Sequence, residues 1–114
     1  MLNFIDFDAF QNVEMRVGEI KRAEPYPEAR KPAIKLWINF GPIIGEKKSS
    51  AQITDHYKPN DLIGKKILAV INLKPRQIGN FISEVLVLGV PDIKEKGVVL
   101  VVPDQDTKIG SRLY

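Results

Sequence analysis

Hydrophobic and polar residues alternate in two stretches near the start of the chain, residues 13–20 and residues 34–40. Alternation with a period of two is typical of a strand that has one buried face and one exposed face. We expect Pro25 and Pro27 to end the first strand, because proline cannot donate a hydrogen bond to a neighbouring strand. The first third of the chain therefore predicts two half-buried strands.

Runs of apolar residues predict further strands in the second half of the chain. Residues 66–73 and 83–90 are mostly apolar, as expected of strands that are covered on both faces, and residues 98–102 form a β-branched run that Pro103 closes. Residues 47–53 give a weaker signal, because serine and glutamine leave little hydrophobic face. These runs add three or four strands to the first two.

Short helical turns are predicted between the strands. Residues 6–11 place Phe7 and Phe10 three positions apart, so we expect both rings to face the core. Residues 54–57 and 61–64 are the other candidates, and the second of these ends in glycine. No segment has the pattern of a long helix.

Five or six short strands separated by frequent turn signals predict an all-β fold whose sheet closes into a barrel. A five-stranded OB-fold barrel with short helical segments fits a chain of 114 residues best, and an SH3-like barrel, which is usually smaller, is the competing architecture. We expect residues 1–114 to form one domain. Residues 74–82 are predicted to be a loop that joins two of the strongest strands.

Composition excludes several classes of protein. The chain contains no cysteine, which excludes disulfides, a thiol nucleophile and a thiolate metal site. The longest run without a charge, residues 36–45, is about half of the roughly 20 apolar residues that a membrane-spanning helix needs. Acidic residues interrupt the apolar residues at the start, so no signal peptide is recognised. We expect a cytoplasmic protein without direct membrane insertion.

The charge is unevenly distributed along the chain. Residues 30–76 contain ten basic and three acidic residues, a net charge of +7, whereas the remainder has seven basic and eleven acidic residues, a net charge of −4. A basic middle segment fits a surface that meets phosphates or acidic segments of a partner. Ordinary solvated lysines on strands and loops are the alternative interpretation.

Candidates for catalysis are few. His56 is the single histidine and has no second histidine or cysteine to complete a metal shell, so we interpret it as a loop residue. Ser49 and Ser50 follow Lys47 and Lys48, but neighbouring side chains in a strand point to opposite faces. No glycine-rich phosphate loop is present. The sequence predicts a binding protein rather than an enzyme, with no cofactor and no metal.

The segment Lys74-Pro75-Arg76 is the main candidate for ligand binding. It begins a connection between barrel strands, and such loops border the ligand-binding face of an OB-fold. Proline restricts the backbone, so the two cations lose less freedom on binding. Phe81 and Ile82 follow in the same connection and predict exposed apolar groups beside the cations, which suit peptide capture or base stacking. A solvated basic turn is the alternative.

Trp37 is the only tryptophan and by alternation lies opposite Leu36 and Ile38. If those two residues fill the barrel, Trp37 lies outside it, where it could stack on a base or contact a peptide. Burial of Trp37 in a subunit interface is an equally good interpretation.

Several motifs occur in order along nearly the whole chain. They are Val-Glu-Met-Arg-Val-Gly-Glu-Ile (13–20), Ala-Glu-Pro-Tyr-Pro-Glu-Ala (23–29), Asn-Leu-Lys-Pro-Arg (72–76) and Ser-Glu (83–84). This set resembles the OB-fold tRNA-binding domain family, which includes free-standing dimeric tRNA-binding proteins and domains appended to tRNA synthetases. Lys-Ser-Ser-Ala-Gln-Ile-Thr (48–54), Tyr-Lys-Pro (57–59) and Ser-Glu-Val-Leu-Val-Leu-Gly (83–89) are similar to the CsaA branch of export chaperones.

The resemblance implies a homodimer that binds unfolded or exported polypeptides without ATP, with a translocation motor and tRNA as further candidate partners. Carried over from the family pattern, the nucleic-acid-binding candidates are Lys31, Asn72, Lys74, Arg76 and Ser83. The peptide-binding candidates are Trp37, Ile78 and Phe81. Residues 103–114 are predicted to be a C-terminal extension at the dimer contact.

The loop after the Asn-Leu-Lys-Pro-Arg motif departs from the tRNA-binding pattern. Gln77, Gly79 and Asn80 are uncharged where typical members are basic, and Val85 and Leu86 replace a Gly-Met pair. Fewer cations release fewer counterions from a nucleic acid, so the departure favours a peptide groove. Structure-specific tRNA binding is the main alternative, and a scaffold module without a ligand is a third.

Overall fold

The computed structural model describes residues 1–114, which form two short helices and nine strands. The helices are α1 (Phe7–Gln11) and α2 (Pro59–Leu62), and the strands are β1 (Met15–Tyr26), β2 (Ala33–Asn39), β3 (Glu46–Ala51), β4 (Lys66–Val70), β5 (Arg76–Ile78), β6 (Phe81–Ser83), β7 (Leu86–Val87), β8 (Gly89–Pro91) and β9 (Val98–Leu100). Five strands form one antiparallel sheet in the order β3-β2-β1-β4-β7, while β5-β6 and β8-β9 are separate hairpins. No helix is long and apolar enough to cross a membrane.

Strand β1 is long enough to serve two partners. Its first half pairs with β4 and its second half pairs with β2, with an irregular register between Ile20 and Arg22. The strand runs through Pro25 to Tyr26, so the prediction that Pro25 ends it was wrong. Proline is tolerated at position 25 because β4 pairs with β1 only as far as Glu19. Beyond Glu19, no β4 carbonyl lies opposite that side of β1, so the missing N–H group of Pro25 leaves no β4 hydrogen bond unmade.

The core lies inside the curled sheet. Strand β2 contributes Ile34, Leu36 and Ile38, all nearly without exposed surface, and Ile20 and Ile67 pack against them from β1 and β4. Alternation along β2 thus separates an inner face from an outer face, as the sequence predicted.

Hydrogen bonds from the segment after β6 bring the two ends of the sheet together. The Lys48 carbonyl oxygen of β3 accepts from the backbone N–H groups of Glu84 and Val85, at 2.8 and 3.3 Å. The buried Ser49 hydroxyl donates to the Val85 carbonyl oxygen at 3.0 Å. The prediction of an all-β, five-stranded OB-type barrel with short helical segments is confirmed.

The last residues of the chain pair with the first half of β1 on the edge that β2 leaves free. The Val17 N–H donates to the Ser111 carbonyl, the Gly110 N–H donates to the Val17 carbonyl, and the Leu113 N–H donates to the Met15 carbonyl, all within 2.9 Å. Most of the edge at this end of β1 is therefore covered by the chain itself.

Three local predictions were wrong. Residues 83–90 form parts of three short strands rather than one, because β6, β7 and β8 each pair with a different partner. Residues 74–82 contain the β5-β6 hairpin, since the Gly79-Asn80 turn lets residues 76–78 pair with residues 81–83. Helix α1 buries no residue, and Phe7 is 64% exposed rather than in the core.

Candidate binding groove

A groove of about 900 Å³ lies on the surface of the protein. One wall is residues 28–31, between β1 and β2, and the opposite wall is the β5-β6 hairpin with Lys74. Residues 49–52, at the end of β3, and residues 83–87 also line it. Loops after the first and fourth strands of the barrel thus meet above its third strand, the position at which OB-folds bind ligands.

Four basic side chains line the groove, namely Arg30, Lys31, Lys74 and Arg76. All four are exposed, and none forms an ion pair. Glu84 is one of two acidic residues in the lining, and its carboxylate already accepts from the Lys48 N–H at 2.9 Å. The groove therefore offers positive charge to a ligand.

The lining also has an apolar part. Ala33 and Val85 are buried beneath the groove, and Ile78 and Val87 are half-buried in its walls. Small residues of β3, among them Ser50 and Ala51, lie between the walls. The groove can therefore contact apolar side chains while its cations bind anionic or carbonyl oxygens.

The β5-β6 hairpin places Arg76 at the groove. Arg76 pairs with Ser83 across the hairpin, and Gly79 adopts a φ of 61° as the first residue of the two-residue turn, where a type II′ turn needs a positive φ. At the hairpin base, the Ser83 hydroxyl accepts from the Ser50 N–H at 3.0 Å. Ser83 and Glu84 thus satisfy outward-pointing N–H groups of β3 with side-chain oxygens.

An aromatic cluster of Tyr26, Trp37 and Phe81 joins the hairpin to the outer face of β1 and β2. The Phe81 ring packs edge-on against Tyr26 and Trp37, with centroids 6.0 and 5.6 Å away. Phe81 is only 7% exposed and Trp37 is half-buried. The expectation that Phe81 offers an exposed apolar surface was wrong, because the hairpin turns its ring inward onto the sheet.

Cations surround this cluster. The Lys35 Nζ lies 4.5 Å from the Tyr26 ring centroid, the Lys48 Nζ lies 5.1 Å from that of Phe81, and the Arg22 guanidinium lies 4.2 Å from that of Trp37. Such contacts attach a charged head to an aromatic face and leave it partly solvated.

The structure brings together five of the eight predicted site residues. Those that line the groove are Lys31, Lys74, Arg76, Ile78 and Ser83. Trp37 and Phe81 lie in the aromatic cluster instead. Asn72 is outside the groove, and its side-chain amide is occupied: the oxygen accepts from the Glu14 N–H at 2.9 Å and the nitrogen donates to the Asn12 carbonyl at 2.8 Å.

Sequence reasoning did not single out Arg30, Lys35 or Lys48. Arg30 is next to Lys31, and Lys35 could have been found from alternation, which places it on the same face of β2 as Trp37. The register of β3, needed to place Lys48 opposite Trp37, is not readable from its weak pattern.

His56 does not line the groove, and it binds Asp92, with Nε2 and Oδ2 2.8 Å apart. The hydrogen bond with His56, together with those from the Lys96 and Gly97 N–H groups, lowers the pKa of Asp92 to about 2. The pair joins the turn after β3 to the β8-β9 hairpin. Its geometry explains His56 as a structural residue.

Comparison with known proteins places this geometry in a family. The family model "Putative tRNA binding domain" matches residues 15–112. The solved CsaA chaperone protein from Picrophilus torridus is 50% identical, with a TM-score of 0.90, over 97% of this chain and 100% of that chain. Chaperone CsaA from Bacillus anthracis is 43% identical, with a TM-score of 0.90, over 98% and 100%.

Methionine–tRNA ligase from Methanocaldococcus jannaschii is 36% identical over 110 residues, which is 96% of this chain but 16% of the ligase. The chain thus spans a small part of the curated relatives that it matches, and the ligase activity in their names refers to much longer proteins. The family is defined as a binding domain rather than a catalytic one. The resemblance inferred from the motifs is confirmed: the chain belongs to the tRNA-binding domain family, with CsaA chaperones among its whole-chain structural neighbours.

Proposed function

We propose that this protein is an ATP-independent chaperone that holds unfolded or export-bound polypeptides in the groove. The observation that carries the proposal is the combination of an apolar lining with four unpaired cations in one cavity of about 900 Å³. The names of the CsaA structures, which match this chain over its whole length, support it.

The groove suits an extended chain for a physical reason. Cations on both walls can bind main-chain carbonyls and acidic side chains, while Ile78 and the small residues of β3 contact apolar side chains. The sequence has no nucleotide-binding motif, so holding acts by mass action on the unfolded client. Such a client would be met in the cytoplasm, and a translocation motor is a candidate to receive it.

Structure-specific tRNA binding is the second candidate, and the four free cations favour it together with the family description. Lysine and arginine can contact the phosphates of a folded RNA, and arginine can also stack on an exposed base. Affinity that depends on phosphate contacts falls steeply as salt rises.

One pair of assays separates the two candidates. A gel-shift titration with bulk tRNA at two salt concentrations is run beside a light-scattering assay of client aggregation, using the wild type, Arg76→Ala, Ile78→Ala and Lys94→Ala. Lys94 is the matched control because it is an exposed cation without an ion pair outside the groove lining. The chaperone proposal predicts that I78A weakens client protection and that K94A does not.

If the protein binds tRNA, the gel-shift titration should show a complex that R76A weakens and that high salt abolishes. The I78A substitution should then have little effect on the complex. Tight tRNA binding without any client protection would contradict the chaperone proposal. No tRNA shift at low salt would remove the second candidate.

The proposal includes a homodimer. The first residues carry fully or largely exposed apolar side chains: Leu2 is 80%, Phe4 is 92% and Ile5 is 72% exposed. Helix α1, which follows them, ends beside the C-terminal segment, because the Arg112 guanidinium donates to the Gln11 carbonyl at 2.6 Å. We therefore extend the predicted dimer contact from residues 103–114 to include residues 1–7. Two grooves in one dimer would hold a long client with avidity.

A further inference from the structure

The β5-β6 hairpin forms a wall of the groove but is not part of the five-stranded sheet. At its base it is fixed to β3 by the Ser50 N–H, which donates to the Ser83 hydroxyl at 3.0 Å. At its tip, the backbone of residues 77–80 makes no hydrogen bond to the backbone of any other element. Backbone pairing alone therefore leaves the position of the tip, and with it the width of the groove, undetermined.

Tyr26, the last residue of β1, supplies the missing attachment. Its hydroxyl donates to the Ile78 carbonyl oxygen at 2.5 Å and accepts from the Asn80 N–H at 3.2 Å. The side chain is 3% exposed, and its ring packs edge-on against Phe81. A single phenol group thus holds both sides of the hairpin turn.

The turn is shaped around this phenol group. A Cβ atom added to Gly79 would lie 2.5 Å from the Tyr26 oxygen, closer than two such atoms can approach. Glycine at this position is therefore required by the contact with Tyr26 as well as by its positive φ. The sequence of the turn and the position of the hydroxyl depend on each other.

We propose that Tyr26 is a positioning residue of the groove: its hydroxyl latches the hairpin tip to β1 and so fixes the distance between Ile78 and the opposite wall at residues 29–31. This inference rests on the proposed function, because it takes the groove as the site at which ligand binds. A preformed wall loses little freedom when a ligand enters. Without the hydroxyl, the wall must be ordered by the ligand itself, and bound polypeptide dissociates faster.

The experiment compares Tyr26→Phe with Tyr57→Phe. Tyr57 is a matched control because its hydroxyl accepts one backbone N–H, that of Leu100 at 3.0 Å, and it does not line the groove. Dissociation of fluorescein-labelled, reduced and carboxymethylated α-lactalbumin, a permanently unfolded probe, is followed by stopped-flow anisotropy. We expect the probe to dissociate about two- to tenfold faster from Y26F than from the wild type, and at the wild-type rate from Y57F.

Two further measurements distinguish positioning from general loss of stability. Amide hydrogen exchange of Asn80 reports the latch directly, and Y26F should accelerate it while Y57F does not. Gly79→Ala attacks the same contact from the hairpin side and should also speed dissociation. Gly45→Ala is its control, because Gly45 has a positive φ of 84° and a Cβ atom there would meet nothing within 4 Å.

The results separate the latch from the proposed function. Equal dissociation rates for Y26F, Y57F and the wild type, with a faster rate for R76A, would overturn the latch and keep the groove. If R76A and Y26F both release the probe as the wild type does, the groove is not the binding site, and both proposals fail. Unchanged exchange at Asn80 in Y26F would overturn the latch whatever the binding data show.

Discussion

Asp92 is a single side chain that closes a turn. Its carboxylate binds His56 on one side and accepts from the N–H groups of Lys96 and Gly97, both at 3.0 Å, on the other. These hydrogen bonds stabilise the ionised form, so the pKa falls from its usual 3.8 to about 2. Folding therefore favours the charged carboxylate.

The pH dependence of stability follows from this direction. The contribution of ionised Asp92 to the free energy of unfolding is present in full above pH 3.8. It is lost as the pH falls towards 2, the pKa of Asp92 in the folded protein. Asp92→Asn should be less stable than the wild type at pH 7, and the difference should shrink by pH 3. Urea unfolding at pH 7, 4 and 3 measures this difference in stability. Asp8→Asn is the control, because the Asp8 side chain makes no hydrogen bond in the structure. A difference that stays constant down to pH 3 would contradict the assignment.

At the same scale, sequence reasoning succeeded where alternation was strong. The inner positions of β2 were predicted correctly because each polar residue marks the outer face. It failed for Phe81, since a three-residue strand is too short to show a period, and the ring is buried only because Tyr26 and Trp37 receive it. A contact between residues more than forty positions apart leaves no local pattern.

Among the elements, the hairpin β5-β6 has the largest consequence for the site. The sequence located the cationic segment 74–76 but predicted a loop, because prolines and glycines are common in loops. The structure uses the Gly79-Asn80 turn to fold residues 76–83 back on themselves. Five of the eight candidates proposed from local chemistry and family motifs line the groove, and the pairing that brings them together was not visible in the sequence.

Ser83 couples this hairpin to the sheet, and its removal should be measurable. Ser83→Ala leaves the Ser50 N–H without its acceptor, at a cost of about 1–3 kcal/mol in the free energy of unfolding. Ser111→Ala is the control, since the Ser111 hydroxyl has no hydrogen bond in the structure. Urea unfolding of both variants measures the difference. Equal stabilities would mean that water replaces the hydroxyl at no cost.

For the whole molecule, the exposed apolar side chains of Leu2 and Phe4 at the start of the chain are the feature that the proposed dimer would explain. We expect Leu2→Ser combined with Phe4→Ser to weaken a dimer more than tenfold, because burying each side chain contributes about 1.5–3 kcal/mol. Size-exclusion chromatography with light scattering measures the mass. Ile43→Ser is the matched control, as Ile43 is 97% exposed in the turn between β2 and β3. A monomeric wild type would disprove the dimer.

The side-chain oxygens that bind the outer edge of β3 also protect the protein from aggregation. An incoming extended chain finds the N–H groups of Lys48 and Ser50 already bonded to Glu84 and Ser83, so it cannot continue the sheet. A polypeptide that entered the groove as proposed would contact side chains rather than pair with β3 as a further strand. The backbone N–H groups of Glu84 and Val85 also donate to the Lys48 carbonyl oxygen, so side chains and backbone together shield this part of β3 from pairing with a strand of another molecule.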